Sequence, residues 1–458
     1  METAMQAKLE ALIQESMADG LVPGLSVVIV NREGTQYAKG FGSANLEMQT
    51  AFTPDTHCHI GSTAKAFTAV AVMQLLERGL IDLDAPITTY LPDFRVNDPR
   101  GSSIRVRHLL TNSSGLGGSE QPGSNDETAL EDHVKGLAKV KLEYAPGTGY
   151  AYANSGFSVL GLIVQKLSGM SYEQYMQEKI FAPLEMNAST LEFWKPEALD
   201  GTGSYYAGTH SQQVAQPPGT NRGYGPAGMH ISSANDVSKY LRMLLNNGLA
   251  ANGKRILSEA SVTEMMRGQV AGESSVGLEN IKYAFGWETL ERHGVKTVEH
   301  GGSIGSMGAY FMLAPEAGFA IGMLFNLVDY AKMQLFGNLF NAMTENPTEP
   351  YQSLPRPEAV ASTGFAPEHH DLERVTGTYA MPRSGNISVY LEHDQLMIQV
   401  QHKTHKLEPR ALNSFTLRSE ILALEGLEHT FVFTDAGVEL CAHTEWGDVE
   451  TGTRLETA

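Results

Sequence analysis

Over residues 1–19 the apolar positions Leu9, Leu12, Ile13 and Met17 alternate with charged and polar ones, the spacing of an amphipathic helix. The period then shortens: 24–30 and 35–42 read as two strands joined by the hairpin signal Asn31, Arg32, Glu33, Gly34. After Gly61, Phe67, Val70, Met73, Gln74 and Glu77 recur every three or four residues, so a helix is expected up to the stop at Gly79. It is too apolar to lie on a surface. Residues 83–94 are broken by Pro86 and Pro92, 104–110 lead into a turn-rich cluster at 111–116, and 117–125 read as a surface loop. Helices are expected at 127–140, 156–167, 172–180 and 234–247, with a Gly-, Tyr- and Pro-rich passage at 201–228. Strand periodicity returns at 283–290, 295–300, 308–313 and 319–325, and a helix at 330–343 closes the unit. Strands from both ends can pair into one sheet with the intervening helices packed against it, an α+β arrangement.

Residues 345–368 carry Pro347, Pro350, Pro355, Pro357 and Pro367 with few large apolar side chains, as a linker does. Beyond them eight short alternating segments, 376–380, 387–392, 396–401, 405–409, 415–417, 421–424, 430–434 and 438–443, predict a small up-and-down β-barrel. The expected organisation is a larger domain at 1–344, a Pro-rich linker at 345–368 and a barrel at 369–458. Gly377, Thr378, Tyr379 in the first barrel strand is similar to the Gly-x-Trp signature of lipocalins, with Tyr for Trp.

A length of 458 residues suits two units rather than one. The formal net charge of −19 argues against nucleic acid or an anionic membrane as partner. The two cysteines, Cys58 and Cys441, lie far apart and have no metal spacing around them, so no metal or other cofactor is expected. Cys58 is a rival nucleophile by position, four residues before Ser62, but has no motif of its own. No apolar run approaches the roughly 20 residues of a membrane span, and the expectation is a cytoplasmic protein, or a secreted one if a leader has been removed.

The helix after Gly61 begins with Ser62 and Lys65, one turn apart, so the amine can reach the hydroxyl. Ser62 could be a plain N-cap and Lys65 a solvated first-turn residue. A cation in a first turn opposes the helix dipole, however, and a lysine entering an apolar core must be neutral or paired, which makes it a usable base. Acyl transfer also needs a proton shuttle and an oxyanion site. Tyr152, Ala153, Asn154 at a helix start and His300, Gly301, Gly302, Ser303 at a strand end supply candidates.

The ordered trio resembles the serine β-lactamase and penicillin-binding-protein superfamily, in its class C-like branch of β-lactamases, D-aminopeptidases, D-alanyl-D-alanine carboxypeptidases and esterases. The likeness covers roughly residues 5 to 343, and the runs 108–116 and Pro226, Ala227, Gly228 look like family landmarks. It implies an antiparallel sheet flanked by helices plus an all-helical subdomain. It also implies Ser62 as acylated nucleophile, Lys65 as its base, Tyr152 as proton relay and Asn154 as a holder of substrate and of Lys65. The N–H groups of Ser62 and Ser303 would form the oxyanion hole, with Gly301 and Gly302 letting substrate lie against the strand. His300 stands where many β-lactamases have a lysine, which puts efficient β-lactam hydrolysis in doubt and makes the imidazole an assistant to the shuttle. Asn112 and His108 read as structural.

The function these features imply is a serine hydrolase forming an acyl-enzyme on short peptides or amides, including ones with D-residues. Alternatives are a thioesterase or peptide cyclase, a carboxylesterase, and an inactive scaffold whose barrel binds a ligand. The expected partners are a small peptide, amide or ester substrate and, through the barrel, further copies of the chain.

Overall fold

The computed structural model describes residues 2–20, 22–118, 124–207, 213–215, 220–272, 280–327, 331–348, 365–381, 385–400, 403–418, 427–434, 437–443 and 449–455. The chain divides into two compact units, Met1–Tyr205 with Ala215–Gln352, and Tyr206–Val214 with Ser353–Ala458. Most of the expected Pro-rich linker, and the expected strand at 421–424, lie outside the described residues.

The first unit is built on a nine-stranded antiparallel sheet. Strands Thr35–Asn45, Gly24–Asn31, Phe319–Phe325, Met307–Ala314, Val295–Ile304 and Glu288–Arg292 run side by side in that order, with short strands at both edges. The N-terminal strand therefore sits beside one from near residue 320, with Leu25 opposite Phe325 and Ile29 opposite Ile321. Strands drawn from both ends are what the periodicity implies. Val28, Val30, Phe311, Leu313, Ala320 and Leu324 join one buried cluster with the helix Ala64–Glu77. From Ala64 to Met73 every side chain of that helix is buried, because it runs through the core against the helix Asn154–Ser168, with Phe67 stacked on Tyr240 of the helix Ala234–Leu245.

Three departures from the expected elements have local causes. The segment at 283–290 is two strands, Lys282–Tyr283 and Glu288–Arg292, folded on each other with Tyr283 opposite Glu288. Its apolar run Ala284, Phe285, Trp287 turns away from the sheet into the core, so continuous apolarity reads as one strand. The helix expected at 172–180 is α-helical only over Tyr172–Met176 and widens to a π turn over Gln177–Phe181. The helix Glu259–Met266, capped by Ser258 accepting from the Ser261 N–H, lies outside every expected element.

The second unit holds a closed antiparallel barrel of eight strands. Its eighth strand is Val449–Arg454, paired with Gly437–His443 on one side and with Gly377–Met381 on the other. That strand closes the barrel yet carries one large apolar residue, Val449, so no alternation betrays it. Between strands 385–392 and 395–400, His393 and Asp394 both take positive φ, the conformation a two-residue hairpin turn requires. Tyr379, Ile387, Val389, Ile398, Leu407, Phe415, Phe431 and Leu440 are buried together, and the barrel fills itself with its own side chains.

Candidate active site

The segment leading to Ser62 is the short strand Cys58–His59, paired with Ile231–Ser232 and tied on by Ile60 N–H donating to His230 O. The chain then turns through a 3-10 turn, Gly61–Thr63, into the Ala64–Glu77 helix. Gly61 makes this possible. Its φ is +53°, and a Cβ there would lie 2.1 Å from the Ser303 nitrogen. From the other side, a Cβ on Gly302 would lie 2.2 Å from the Ser62 nitrogen and 2.5 Å from Ile60 O. Two backbones thus meet with no side chain between them, which brings the nitrogens of Ser62 and Ser303 to one place. Ser62 is no N-cap: the residue before the α-helix is Thr63, whose hydroxyl donates to Ile60 O.

Lys65 is fully buried. Its Nζ lies 2.9 Å from Ser62 Oγ, 2.7 Å from Asn154 Oδ1 and 2.7 Å from Ala227 O, and 4.7 Å from the centre of the Tyr152 ring. Among the described residues it has no carboxylate partner. Burial accordingly drives its pKa well below the ordinary lysine value. An amide oxygen and a peptide oxygen can only accept, so they take the two N–H groups of a neutral amine. The lone pair then faces Ser62 Oγ, where it can receive the hydroxyl proton.

Asn154 opens the helix Asn154–Ser168, and Tyr152 lies in the loop just before it. That loop is held by Asn112, a buried residue at φ +53°. Ala151 N–H donates to Asn112 O at 2.9 Å and Ala153 N–H to Asn112 Oδ1 at 3.1 Å, so the tyrosine is bracketed on both sides by one residue. Burial raises the Tyr152 phenol above its ordinary pKa, the Ser62 side chain pulls it back by hydrogen bonding, and the Glu288 carboxylate raises it again.

His300 lies in the strand Val295–Ile304, its ring 6.3 Å from that of Tyr152. Its pKa is held down to about 3, first by burial and then by Lys65. Gly301 faces the other way, where a Cβ would touch the Tyr310 ring at 3.0 Å. Strand Glu288–Arg292 pairs with 295–299 only, so no described strand lies along that edge of 300–304. Ser303 is exposed there.

All eight candidate residues thus fall in one neighbourhood: Ser62, Lys65, Tyr152 and Asn154 around the amine, and His300, Gly301, Gly302 and Ser303 on the strand beside it. Two contributors escape a reading of the sequence. Ala227 acts through a backbone oxygen, whose only sign in the sequence is the Pro226, Ala227, Gly228 run. Asn112, which reads as structural, is what places Tyr152. Cys58 is fully buried with its thiol pKa pushed up by burial, which removes it as a rival nucleophile.

The family model described as Beta-lactamase matches residues 9–341. The chain belongs to this family. Among its relatives, Penicillin-binding protein 4 of Amycolatopsis lactamdurans is 30% identical over 317 residues, 67% of this chain and 81% of that protein. Protein flp of Staphylococcus aureus (strain MW2) is 26% identical over 328 residues, 70% of this chain but 63% of its own length. The match to flp therefore leaves more than a third of that relative uncovered. Among solved structures, the octameric penicillin-binding protein homologue from Pyrococcus abyssi aligns over 98% of this chain and 100% of its own, with TM-score 0.65 and 26% identity. SurE aligns over 99% and 100%, with TM-score 0.64 at 19% identity, a likeness of fold. No described helix is long and apolar enough to cross a membrane.

Proposed function

We propose that the chain is a serine hydrolase that forms an acyl-enzyme on Ser62 and acts on short peptides or amides. The observation that carries this reading is the buried Lys65 amine, 2.9 Å from Ser62 Oγ with two acceptors fixing its N–H groups. Lys65 takes the hydroxyl proton as Ser62 Oγ bonds to the substrate carbonyl carbon, and the oxyanion is met by the N–H groups of Ser62 and Ser303. Tyr152 passes a proton to the leaving amine as the C–N bond breaks, and Lys65 restores it. Water then enters with the same groups reversed, releasing the acid and freeing Ser62.

The edge of 300–304, along which no described strand lies, supports an extended substrate lying as an added strand, which favours a peptide over a compact ester. A neutral imidazole at His300 offers no fixed cation to a β-lactam carboxylate, so β-lactams acylate slowly or turn over poorly. The packed barrel interior speaks against the ligand-binding scaffold. The octameric neighbour supports self-association, which sedimentation of the purified chain measures.

The test is intact-mass analysis of the full chain after incubation with L- and D-residue peptides, esters, thioesters and penicillin. D-residues are included because one structural neighbour was solved with D-Leu. A covalent adduct that is absent in Ser62→Ala, with peptide consumed fastest, is the expected result. Turnover that persists in Ser62→Ala overturns the assignment.

A further inference from the structure

Both ring nitrogens of His300 are occupied. Nδ1 lies 2.6 Å from Gly301 O and Nε2 lies 3.1 Å from the hydroxyl of Tyr283, a fully buried residue. A carbonyl oxygen only accepts, so Nδ1 carries the hydrogen. A neutral imidazole has one N–H, which leaves Nε2 as the acceptor and makes Tyr283 O–H the donor. The Tyr283 ring stands edge-on to the His300 ring at 5.9 Å and also edge-on to that of Tyr152 at 6.4 Å, so it has little room to swing away.

We propose that Tyr283 is a positioning residue acting through His300: its hydroxyl fixes the imidazole as the neutral Nδ1–H tautomer, so that Lys65 can accept the Ser62 proton without a second cation beside it. The proposal rests on the Ser62 acyl-enzyme reading for its consequence, though not for its geometry. Protonating His300 places a hydrogen on Nε2, and Tyr283 must then turn its own hydrogen elsewhere inside the core. The groups that face the ring are Lys65 from the nucleophile helix, Tyr152 from the loop before Asn154, and Tyr283 from the adjoining hairpin. Glu288 and Glu299 sit opposite each other on the paired strands, and Glu288 acts electrostatically on both Tyr152 and Tyr283. Glu299 is engaged by Arg292 and by the Tyr310 hydroxyl. Lys65 disfavours charge on His300, and burial disfavours charge on both groups, so two cations side by side here are costly.

The experiment uses the full-length chain with nitrogen-15-labelled histidine, the His300 signals being identified by their loss in His300→Gln. The expected spectrum at neutral pH shows hydrogen on Nδ1 of His300. A wild-type spectrum with hydrogen on Nε2 overturns the proposal without any variant having to fold. Tyr283→Phe is expected to move the ring toward the other tautomer and to displace the acid limb of fluorophosphonate labelling of Ser62 to higher pH. A limb displaced by about one pH unit loses about tenfold of the rate at its acid end and little at its alkaline end. In a His300→Gln background the same change leaves the pH profile where it was. Parallel profiles, lowered equally at every pH, mean a merely structural tyrosine and also overturn the proposal. If wild-type Ser62 takes up no label, the acyl-enzyme reading fails while the tautomer result stands by itself.

Discussion

Gly302 and Ser62 meet backbone to backbone, with no more than 2.2 Å between the Ser62 nitrogen and the point a Cβ on Gly302 would occupy. A methyl group there must push the nucleophile turn off the strand and separate the two N–H donors. Gly302→Ala is expected to slow acylation by about 100-fold or more, the scale of a lost oxyanion donor. Labelling rates on folded protein, checked by circular dichroism, measure this; a rate within a factor of two of wild type removes the backbone pair from the mechanism.

As the proposed base Lys65 must be neutral to act, and burial favours its neutral form. The rate of Ser62 acylation should therefore rise with pH along a limb whose midpoint lies well below the ordinary lysine value, and level off above it. Lys65→Ala should abolish the limb together with the reaction. A limb centred at the usual lysine pKa refutes the assignment of the base.

Burial also leaves its mark on stability in acid. His59 and His230 flank the nucleophile segment, and their pKa values are pulled down to about 4 and about 3 from 6.5, chiefly by burial. The folded chain then binds fewer protons than the unfolded one between those values and 6.5. Their stabilising contribution is full above pH 6.5 and is lost as pH falls through that window, at a slope of about 1.4 kcal/mol per pH unit for each imidazole. Denaturant melts between pH 4 and 7.5 test it, and a flat dependence across that range contradicts it.

Glu288 behaves in the opposite sense. Burial and then the neighbouring Glu299 push its carboxyl up to about 7 from 4.5, so the folded state holds a proton that the unfolded state has released. Stability on this account falls as pH rises from about 4.5 to about 7 and is level beyond. Glu288→Gln keeps the neutral form and should stabilise the chain at pH 8 by up to about 3 kcal/mol, with the gain gone near pH 4.5. Melting curves of the two proteins at both pH values decide it.

The nucleophile helix is legible in the sequence because its signals are local: Ser62 and Lys65 sit one turn apart in a run whose apolarity exceeds any surface helix. Tyr152 and Asn154 are legible as a pair at a helix start, and His300 to Ser303 as a strand end with two glycines. What stays hidden works at long range or through the backbone. Asn112 holds Tyr152 from 40 residues upstream through one carbonyl and one amide oxygen. Ala227 contributes only a peptide oxygen, and Tyr283 reaches His300 because an apparently single strand folds back on itself. In the barrel the expected count of eight strands is right for a partly different set: Val449–Arg454 closes the ring through backbone pairing with scarcely any apolar pattern.

The central sheet has one more consequence. Gly24 N–H donates to Asn326 Oδ1 across 302 residues, beside the pairing of strands Gly24–Asn31 and Phe319–Phe325 that joins the two ends of the first unit's sequence in one sheet. During synthesis Ser62 leaves the ribosome long before His300, Ser303 and the closing strand at Phe319–Phe325. Until they arrive, its hydroxyl is an ordinary alcohol on an unfinished chain, and so distant a closure makes for slow maturation. On the acyl-enzyme reading proposed above, competence at Ser62 would arrive only with the last strand to be translated into the sheet.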